Sequence, residues 1–270
     1  MSKDKTIIES PFIGISGSRG FIGSHLFNRF ASSDVERLDR SGSVPNYITD
    51  VFDLAAYGNS FTDTDEQMIY DVNVTRVVKL LKSCIDKNLI VTSTSSVLLP
   101  VQTDYSKSKL QMEVIAKDWV ASTKENVIVV RPSTVIGIGE NPQHLIPKLI
   151  HSCYTGEPMD FVGEPTHDFL DVEDFVDAMI LLSNRAKDYK GYVFNVSFGV
   201  SVTNEFVKDI VEDITHLRAN IKRVTSLRPY DSDKWEVNSD KIRSLGWRPQ
   251  KLLWNTIKDM VEDYKLNNAN

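Results

Sequence analysis

The sequence has few cysteines, no long apolar run and no excess of positive charge. Its two cysteines, Cys84 and Cys153, argue against a disulfide framework and against a cysteine metal site. The sequence contains no stretch of ~18 apolar residues that could span a membrane. A formal net charge of −6 argues against general affinity for nucleic acid or for an anionic membrane surface.

The N-terminus also lacks the apolar core of a secretory signal. His144 and His151 have no acidic or cysteine partners at the spacing of metal ligands, so no metal is expected. These absences predict a cytoplasmic protein without nucleic-acid or membrane partners. With 41% hydrophobic and 25% charged residues, the 270 residues suit one large domain or two small ones with a sizeable core.

A glycine-rich turn follows the first apolar run of the chain. Gly17, Gly20 and Gly23 stand three residues apart between a predicted strand and a predicted helix. In a dinucleotide-binding turn the first glycine makes the bend, the second admits a pyrophosphate, and the third lets helix and strand pack closely. The helix N-terminus then faces the phosphates. The spacing therefore predicts a dinucleotide site near the start of the chain.

The type of dinucleotide depends on the end of the next predicted strand, Val35–Leu38. Asp39 would accept hydrogen bonds from the free ribose hydroxyls of NAD, whereas Arg40 would favour the additional phosphate of NADP. Arg19, inside the glycine turn, is a second cation within reach of that phosphate. We therefore expect NADP; the alternative is NAD, if both arginines are surface charges and Asp39 sets the preference.

Predicted strands and helices alternate through the first half of the chain. Apolar runs at residues 51–56, 89–91 and 127–130 are separated by helical patterns at residues 65–87 and 105–122. This alternation predicts an α/β fold with a parallel sheet and helices on both of its faces.

Tyr105 and Lys109 stand four residues apart at the start of a predicted helix, so their side chains share one helical face. A phenol titrates near pH ~10 unaided, and a neighbouring ammonium can lower that pKa. The pair is therefore a candidate for proton transfer. A hydroxyl cluster at residues 92–96 precedes it, at the end of a predicted strand, where open α/β sheets bind ligands.

These features, together with Leu54-Ala55-Ala56, Asn73 and Arg131-Pro132, resemble the extended short-chain dehydrogenase/reductases in their NAD-dependent epimerase/dehydratase branch. The similarity continues at residues 167–174, 193–196 and 245–249, so it covers nearly the whole chain. Asn73 could be a polar contact in the site or could bond to the backbone, and both interpretations are open.

The resemblance implies a Rossmann doubly wound parallel sheet with a smaller C-terminal substrate-binding α/β domain. The expected division places the NAD(P)-binding domain at residues 1–139 and the substrate-binding region at residues 140–270, with residues 168–200 packing back on the first domain. The implied substrate is a nucleotide-linked sugar. A homodimer that pairs through the helices at residues 65–87 and 105–122 is implied as well.

The resemblance also implies the site residues. Thr94 would bond the reacting oxygen, Tyr105 would exchange its proton, and Lys109 would hold the nicotinamide ribose while lowering the tyrosine pKa. The tripeptide after Thr94 departs from the family pattern, so Ser95 remains an alternative hydroxyl. The implied cofactor-binding residues are Gly17, Arg19, Gly20, Phe21, Ile22, Gly23, Asp39, Arg40, Leu54, Ala55, Ala56, Thr92, Tyr105, Lys109, Arg131 and Pro132. The implied substrate-binding residues are Thr94, Ser95, Ser133, Thr134, His167 and Arg228.

The two residues after Thr94 narrow the choice of reaction. Sugar 4,6-dehydratases of this branch carry an Asp-Glu pair where this chain has Ser95-Ser96, so dehydration is not expected. The place of Arg19 in the glycine turn and the sequence of residues 55–58 resemble the corresponding features of sugar reductases that use NADPH. We therefore expect NADPH-dependent reduction of a nucleotide-linked 4-keto-6-deoxy sugar. The alternatives are an NAD-dependent nucleotide-sugar 4-epimerase and a non-catalytic NAD(P)-binding sensor or scaffold.

Three positions bear on the substrate. Thr134 stands where many relatives carry an asparagine, and His167 replaces the usual arginine. Arg228 matches the place of a diphosphate-binding arginine, whose planar guanidinium suits bidentate contact with phosphate. The sequence predicts neither the base nor the sugar.

Overall fold

The structure, a computed structural model, describes residues 12–30, 34–58, 63–225 and 235–268. The strands within these residues are β1 (Ile13–Ser16), β2 (Val35–Leu38), β3 (Asp50–Asp53), β4 (Asn88–Thr92), β5 (Asn126–Pro132), β6 (Thr134–Ile136), β7 (Met159–Phe161), β8 (Thr166–Asp171), β9 (Val193–Val196), β10 (Ser201–Thr203) and β11 (Ile221–Arg223). The α-helices are α1 (Phe21–Arg29), α2 (Glu66–Tyr70), α3 (Arg76–Ser83), α4 (Asp104–Thr123), α5 (Leu145–Thr155), α6 (Val172–Ser183), α7 (Asn204–Thr215), α8 (Asp240–Arg243) and α9 (Leu253–Asn267).

The centre of the fold is a parallel sheet of six strands in the order β2-β1-β3-β4-β5-β9. Strand β1 pairs with β2 on one side and with β3 on the other, so the strand order reverses there. Such a switch point is where open α/β sheets bind ligands, beyond the carboxyl ends of the strands. The predicted Rossmann doubly wound parallel sheet is confirmed.

The strands of this sheet are apolar on both faces because helices cover both faces. In β4, Leu89, Ile90 and Val91 are fully buried. Ile90 belongs to one core, together with Phe175 of α6, whereas Leu89 and Val91 belong to a second core that includes Met112 of α4. The sheet therefore separates two apolar layers and fixes α4 and α6 on opposite sides.

The helix expected at residues 65–87 is interrupted. Helix α2 continues into a π-helical segment, Asp71–Thr75, before α3 begins. In this wider turn the buried Asn73 accepts from the Tyr57 N–H at 3.1 Å and donates to the Tyr57 carbonyl at 2.8 Å. Its amide nitrogen also lies 3.0 Å from the Ser108 hydroxyl. Asn73 therefore bonds to the backbone, and it links the loop after β3 to α4.

The C-terminal half adds two small sheets, β10-β8-β6 and β11-β7. With α5, α7 and α9 they enclose a third core, in which Phe161, Val211 and Ile257 are buried. Helix α6 packs instead into the core on one face of the six-stranded sheet. The division between residues 139 and 140, with residues 168–200 packing back, stays a prediction.

A buried aspartate joins α6 to a segment near the end of the chain. The Asp174 carbonyl accepts from the Trp247 indole at 3.1 Å. The Asp174 carboxylate accepts from the backbone N–H groups of Gln250 and Lys251, at 2.9 and 3.0 Å. The segments 167–174 and 245–249, which carry part of the family resemblance, therefore meet in the structure.

The glycine turn packs with almost no room for side chains. A Cβ on Gly23 would lie 2.1 Å from the Gly17 carbonyl oxygen, which no real contact allows. Gly17 has a φ of +71°, and its Cβ would lie 2.7 Å from the backbone between Leu54 and Ala55. The turn can therefore rest on α1 and on the loop after β3 only while both positions are glycine.

Gly23→Ala is expected to destabilise the protein by about 1–3 kcal/mol, because the methyl group must push the turn away from α1. Thermal unfolding measures this as a fall of several degrees in Tm. Gly20→Ala is the matched control, since its φ of −78° suits alanine and its Cβ would meet only the Gly17 oxygen, at 3.3 Å. Equal losses in the two variants would contradict the close packing of Gly23 against the turn.

Candidate active site

The predicted phosphate site lies at the carboxyl end of β1. Gly20 is exposed at the N-terminus of α1, and Phe21 and Ile22 open that helix. Because a Cβ on Gly20 would meet nothing but the Gly17 oxygen within 4 Å, the bare backbone faces open space above the turn. This arrangement fits a pyrophosphate held by a helix N-terminus. Leu54 and Ala55 border the same turn.

A buried ion pair lies beneath the turn and was not predicted. The Asp53 carboxylate accepts two hydrogen bonds from Arg76, both at 2.8 Å, and another from the Ser16 hydroxyl. Arg76 also donates to the Ala55 carbonyl at 3.1 Å. Asp53 and Arg76 are 2% and 5% exposed, so the charges compensate each other away from water. They fix the backbone on which the glycine turn rests.

At the ribose end of the predicted site, the acidic side chain is engaged in hydrogen bonds whereas two basic side chains are exposed. The Asp39 carboxylate accepts from the Ser41 N–H at 2.8 Å and from the Ser41 hydroxyl at 2.5 Å, which holds the pKa of Asp39 below its usual value. Arg19 and Arg40 are exposed. A third arginine, Arg37, donates to the Ser18 carbonyl of the glycine turn at 2.9 Å. Sequence reasoning missed Arg37, which gave no signal beyond its place in the strand.

The predicted proton-transfer pair lies in the first turns of α4. Thr103 caps this helix by accepting from the Ser106 N–H, so the backbone of Tyr105 is fixed at the helix start. Lys109 is 3% exposed, and its ammonium donates to the Thr92 carbonyl at 2.8 Å. The same ammonium lies 5.9 Å from the centre of the Tyr105 ring. The structure thus brings Thr92, Tyr105 and Lys109 together.

The electrostatics of this pair correct one expectation. Burial raises the pKa of the Tyr105 phenol above its usual value, so the predicted lowering by Lys109 is wrong for this structure. Burial also lowers the pKa of Lys109 to about 8, against the opposing attraction of the Asp53 carboxylate. The phenol therefore keeps its proton throughout the neutral range.

Two side chains of the hydroxyl cluster at residues 92–96, Thr94 and Ser95, have different hydrogen-bond partners. Thr94 is half-buried and caps a short 3-10 helix, Ser95–Leu98, by accepting from the Ser96 N–H at 3.1 Å. Ser95 is 1% exposed, and its hydroxyl accepts from the Trp235 indole at 3.2 Å. Sequence reasoning missed Trp235, although a tryptophan within a polar stretch was a usable signal.

Arg131, a predicted cofactor residue, is held by a carboxylate. Its guanidinium donates to both oxygens of Glu113, one of them at 2.7 Å. Glu113 is 5% exposed and also accepts from the Ser93 hydroxyl. The next residue, Pro132, is buried at the end of β5. Through Glu113, which lies one helical turn after Lys109, Arg131 therefore joins β5 to α4.

Three of the predicted substrate residues lie on or beside two neighbouring strands. Ser133 and Thr134 stand where β6 begins, and β6 pairs with β8, which contains His167. The His167 ring lies 5.1 Å from the Trp235 ring, centre to centre. Arg228 lies outside the described residues. The strand pairing thus brings Ser133, Thr134 and His167 to one region of the fold.

The sequence profile of the NAD-dependent epimerase/dehydratase family matches residues 44–197. The chain belongs to this family. The matched segment contains Tyr105, Lys109, the hydroxyl cluster and Arg131, and the glycine turn precedes it.

A curated relative in Arabidopsis thaliana is a trifunctional UDP-glucose 4,6-dehydratase, UDP-4-keto-6-deoxy-D-glucose 3,5-epimerase and UDP-4-keto-L-rhamnose reductase. It is 25% identical to this chain, and the match covers 98% of this chain and 48% of the relative. The chain spans about half the length of the curated relatives it matches.

Solved structures share the fold of this family. RMD from Pseudomonas aeruginosa, complexed with NADPH, has a TM-score of 0.83 at 18% identity, covering 96% of this chain and 100% of that one. UDP-N-acetylglucosamine 4-epimerase from Methanobrevibacter ruminantium, in complex with UDP-N-acetylmuramic acid, has a TM-score of 0.85 at 19% identity, covering 96% and 99%. Other structures of the same fold contain NAD with UDP-glucose or UDP-glucuronic acid.

Two features are absent from the described residues. No helix among them is long and apolar enough to cross a membrane. Within the same residues, no group of three or more histidine, cysteine or acidic side chains is placed to hold a metal ion.

The pKa of Lys109 has a consequence for stability. The free energy of unfolding of the wild type, relative to that of Lys109→Met, is expected to rise between about pH 8 and pH 10.5. In this window the unfolded lysine binds a proton that the folded one has released, so raising the pH favours the folded state. The full difference is on the order of 3 kcal/mol. Urea unfolding of both proteins across this range measures it, and parallel pH profiles would contradict the lowered pKa.

Proposed function

We propose that the chain is a nucleotide-sugar-modifying enzyme that reduces a 4-keto-6-deoxy sugar with NADPH. The observation that carries the proposal is the position of the half-buried Tyr105 ring, 5.9 Å from the Lys109 ammonium, in surroundings that raise the pKa of its phenol. A reduction needs a proton donor at the carbonyl oxygen, and a phenol with a raised pKa is in the protonated form. The reductase activity named for the Arabidopsis relative also supports the proposal.

In the proposed reaction, bound NADPH supplies a hydride to C4 of the sugar. Tyr105 gives its proton to the C4 oxygen, so the carbonyl becomes a hydroxyl and the phenol becomes a phenolate. Thr94 donates a hydrogen bond to the same oxygen and polarises the carbonyl. Lys109, held by the Thr92 carbonyl, places a positive charge near the ring that becomes negative. Its ammonium is also the group proposed to bind the nicotinamide ribose.

Thr94 is preferred to Ser95 as the catalytic hydroxyl. Ser95 is buried and its oxygen accepts from Trp235, whereas Thr94 remains partly exposed. Ser133, Thr134 and His167 are proposed to contact the sugar nucleotide from the neighbouring strands. A charged partner for the diphosphate is proposed at Arg228.

Tyr105→Phe is expected to lower kcat by 10²–10⁴-fold with little change in NADPH affinity, because it removes only the proton that is transferred. The measurement is NADPH oxidation with 4-keto-6-deoxy sugar nucleotides carrying UDP, dTDP, GDP or CDP. Tyr47→Phe is the matched control, since Tyr47 is 56% exposed and its hydroxyl bonds to Glu36. Turnover that survives Tyr105→Phe would contradict the proton-donor role.

The alternative, an NAD-dependent 4-epimerase, would behave differently in purification and in assay. It would retain NAD through purification and interconvert two sugar nucleotides without net reduction. Extraction of the cofactor from purified protein distinguishes the two reactions. Bound NAD without NADPH oxidation would overturn the reductase proposal.

NADPH is proposed as the cofactor because of the charges at the ribose end. The Asp39 carboxylate is engaged by Ser41, while Arg19 and Arg40 are exposed near the predicted site of the ribose. A guanidinium favours the additional phosphate of NADP, since its hydrogen bonds to phosphate oxygens are charge-assisted.

Arg19→Ala is expected to weaken NADPH binding by roughly 10- to 100-fold, because one charge-assisted contact with the phosphate contributes about 1.5–3 kcal/mol. NADH binding should change little. Calorimetric titration with both cofactors gives the ratio. Arg185→Ala serves as the control, since Arg185 is an exposed arginine beside Asp188. An unchanged ratio would contradict the assignment of Arg19.

A homodimer is proposed through the helical segments at residues 65–87 and 105–122. These helices expose Met68, Leu110 and Val114, with 44%, 41% and 53% of their surfaces accessible. Light scattering of the wild type is expected to give the mass of a dimer, and Val114→Glu the mass of a monomer, because a charge opposes burial at the interface. A monomeric wild type would contradict the proposal.

A further inference from the structure

The Lys109 ammonium lies at the end of β4, between two strands that carry charged side chains. It donates to the carbonyl of Thr92, the last residue of β4, at 2.8 Å. Asp53 ends the neighbouring strand β3, where it pairs in register with Val91. Arg131 lies near the end of β5, the neighbour of β4 on the other side. The lysine therefore stands between the carboxylate of β3 and the guanidinium of β5.

A contact between two helical segments brings Arg76 to the same region. Asn73 lies one turn before Arg76, and its amide nitrogen donates to the Ser108 hydroxyl at 3.0 Å. Ser108 directly precedes Lys109. Arg76 and Lys109 are thus two cations on adjacent helices, 5% and 3% exposed. Buried like charges oppose each other, so the lysine needs a nearby carboxylate in order to keep its proton.

The two nearby carboxylates are already engaged by arginines. Asp53 accepts two hydrogen bonds from Arg76, both at 2.8 Å. Glu113 likewise accepts two from Arg131. Within the part of the chain that the structure describes, no carboxylate forms a direct ion pair with Lys109. The ammonium is therefore compensated only by carboxylates that it shares with other cations.

The surrounding charges do not act equally on the lysine. Burial has the largest effect and lowers the pKa of Lys109 to about 8. The Asp53 carboxylate opposes burial with the largest attraction, Arg76 acts with burial, and Glu113 adds a further attraction. The carboxylate of Asp53 thus does more to keep the lysine charged than the arginine bound to it does to discharge it.

We propose that Asp53 is a counter-ion shared by Arg76 and Lys109, and that this sharing keeps the lysine positively charged at neutral pH. Asp53 is a positioning residue in this role, since it acts through Lys109. The inference rests on the proposed function only for the use of the charge, which would stabilise the phenolate formed when Tyr105 gives up its proton. The charge itself is measurable without a substrate.

The test measures the protonation of Lys109 directly. NMR of protein labelled with ¹³C at the lysine Cε atoms follows the lysines as the pH is changed, and Lys109→Met identifies the Lys109 signal by its loss. In the wild type this signal is expected to titrate near pH 8, below the value of ~10.4 for an exposed lysine. Asp53→Asn removes the charge but little volume, and is expected to lower the midpoint by about one unit.

The sign of this change separates charge from packing. A loosened structure would admit water and raise the midpoint toward that of an exposed lysine, which is opposite to the expected shift. The double variant Asp53→Asn/Arg76→Gln replaces the ion pair by two amides, so it remains informative if Asp53→Asn folds poorly. It is expected to lower the midpoint by a smaller amount, because a repelling charge is lost together with the attracting one.

Asp50 provides the matched control on the same strand. It lies three residues before Asp53, about 10 Å away along β3, and its carboxylate accepts from Asn88 and Ser183. Asp50→Asn removes one negative charge from β3 as well, but it should leave the midpoint of Lys109 unchanged.

An unchanged or raised midpoint in folded Asp53→Asn would overturn the inference. An equal fall in Asp50→Asn would also overturn it, because the effect would then not belong to Asp53. The expected midpoints without NADPH oxidation by the wild type would support the shared counter-ion and reject only the reductase reaction. NADPH oxidation together with a midpoint that ignores Asp53 would reject this inference and leave the proposed function in place.

Discussion

The buried Asp53 carboxylate connects the elements that support the glycine turn, the predicted phosphate site. It bonds to Ser16 at the end of β1 and to Arg76 at the start of α3, while belonging to β3 itself. Removal of one partner would leave an uncompensated charge in the core, which typically costs about 3–5 kcal/mol. The backbone after Asp53 is the surface against which Gly17 packs. The ion pair between Asp53 and Arg76, which lies beneath the glycine turn, therefore determines the shape of that turn.

A second group of contacts holds α4 against the ends of β4 and β5. Lys109 bonds to the Thr92 carbonyl, and Arg131 bonds to Glu113 on the same helix. Both contacts join α4 to the sheet, so the helix that carries Tyr105 cannot shift along it. Burial by this packing also keeps the phenol protonated and makes the lysine easier to deprotonate. The packing of α4 against the sheet thus determines both the positions of Tyr105 and Lys109 and the direction in which their pKa values are shifted.

The sequence was informative where a local pattern has a single physical interpretation. The glycine spacing predicted the tight turn after β1, because backbone geometry demands glycine there. The alternation of strands and helices predicted the parallel sheet with helices on both faces, because parallel strands demand crossover connections. The π-helical turn at Asn73 was not predictable, since it lets the Asn73 side chain bond to the Tyr57 N–H and carbonyl in a separate loop. The sign of the Tyr105 pKa shift was predicted wrongly because burial is a property of the packed structure. Trp235 was missed because its partners Ser95 and His167 are far away along the chain.

The distance along the chain between Ser95 and Trp235 has a kinetic consequence. Their hydrogen bond spans 140 positions, whereas β1 and β3 pair across fewer than 40. Closing a longer loop sacrifices more chain entropy, and folding rates fall as contacts become less local. The contact between Ser95 and Trp235 is thus expected to form late in folding, after the six-stranded parallel sheet.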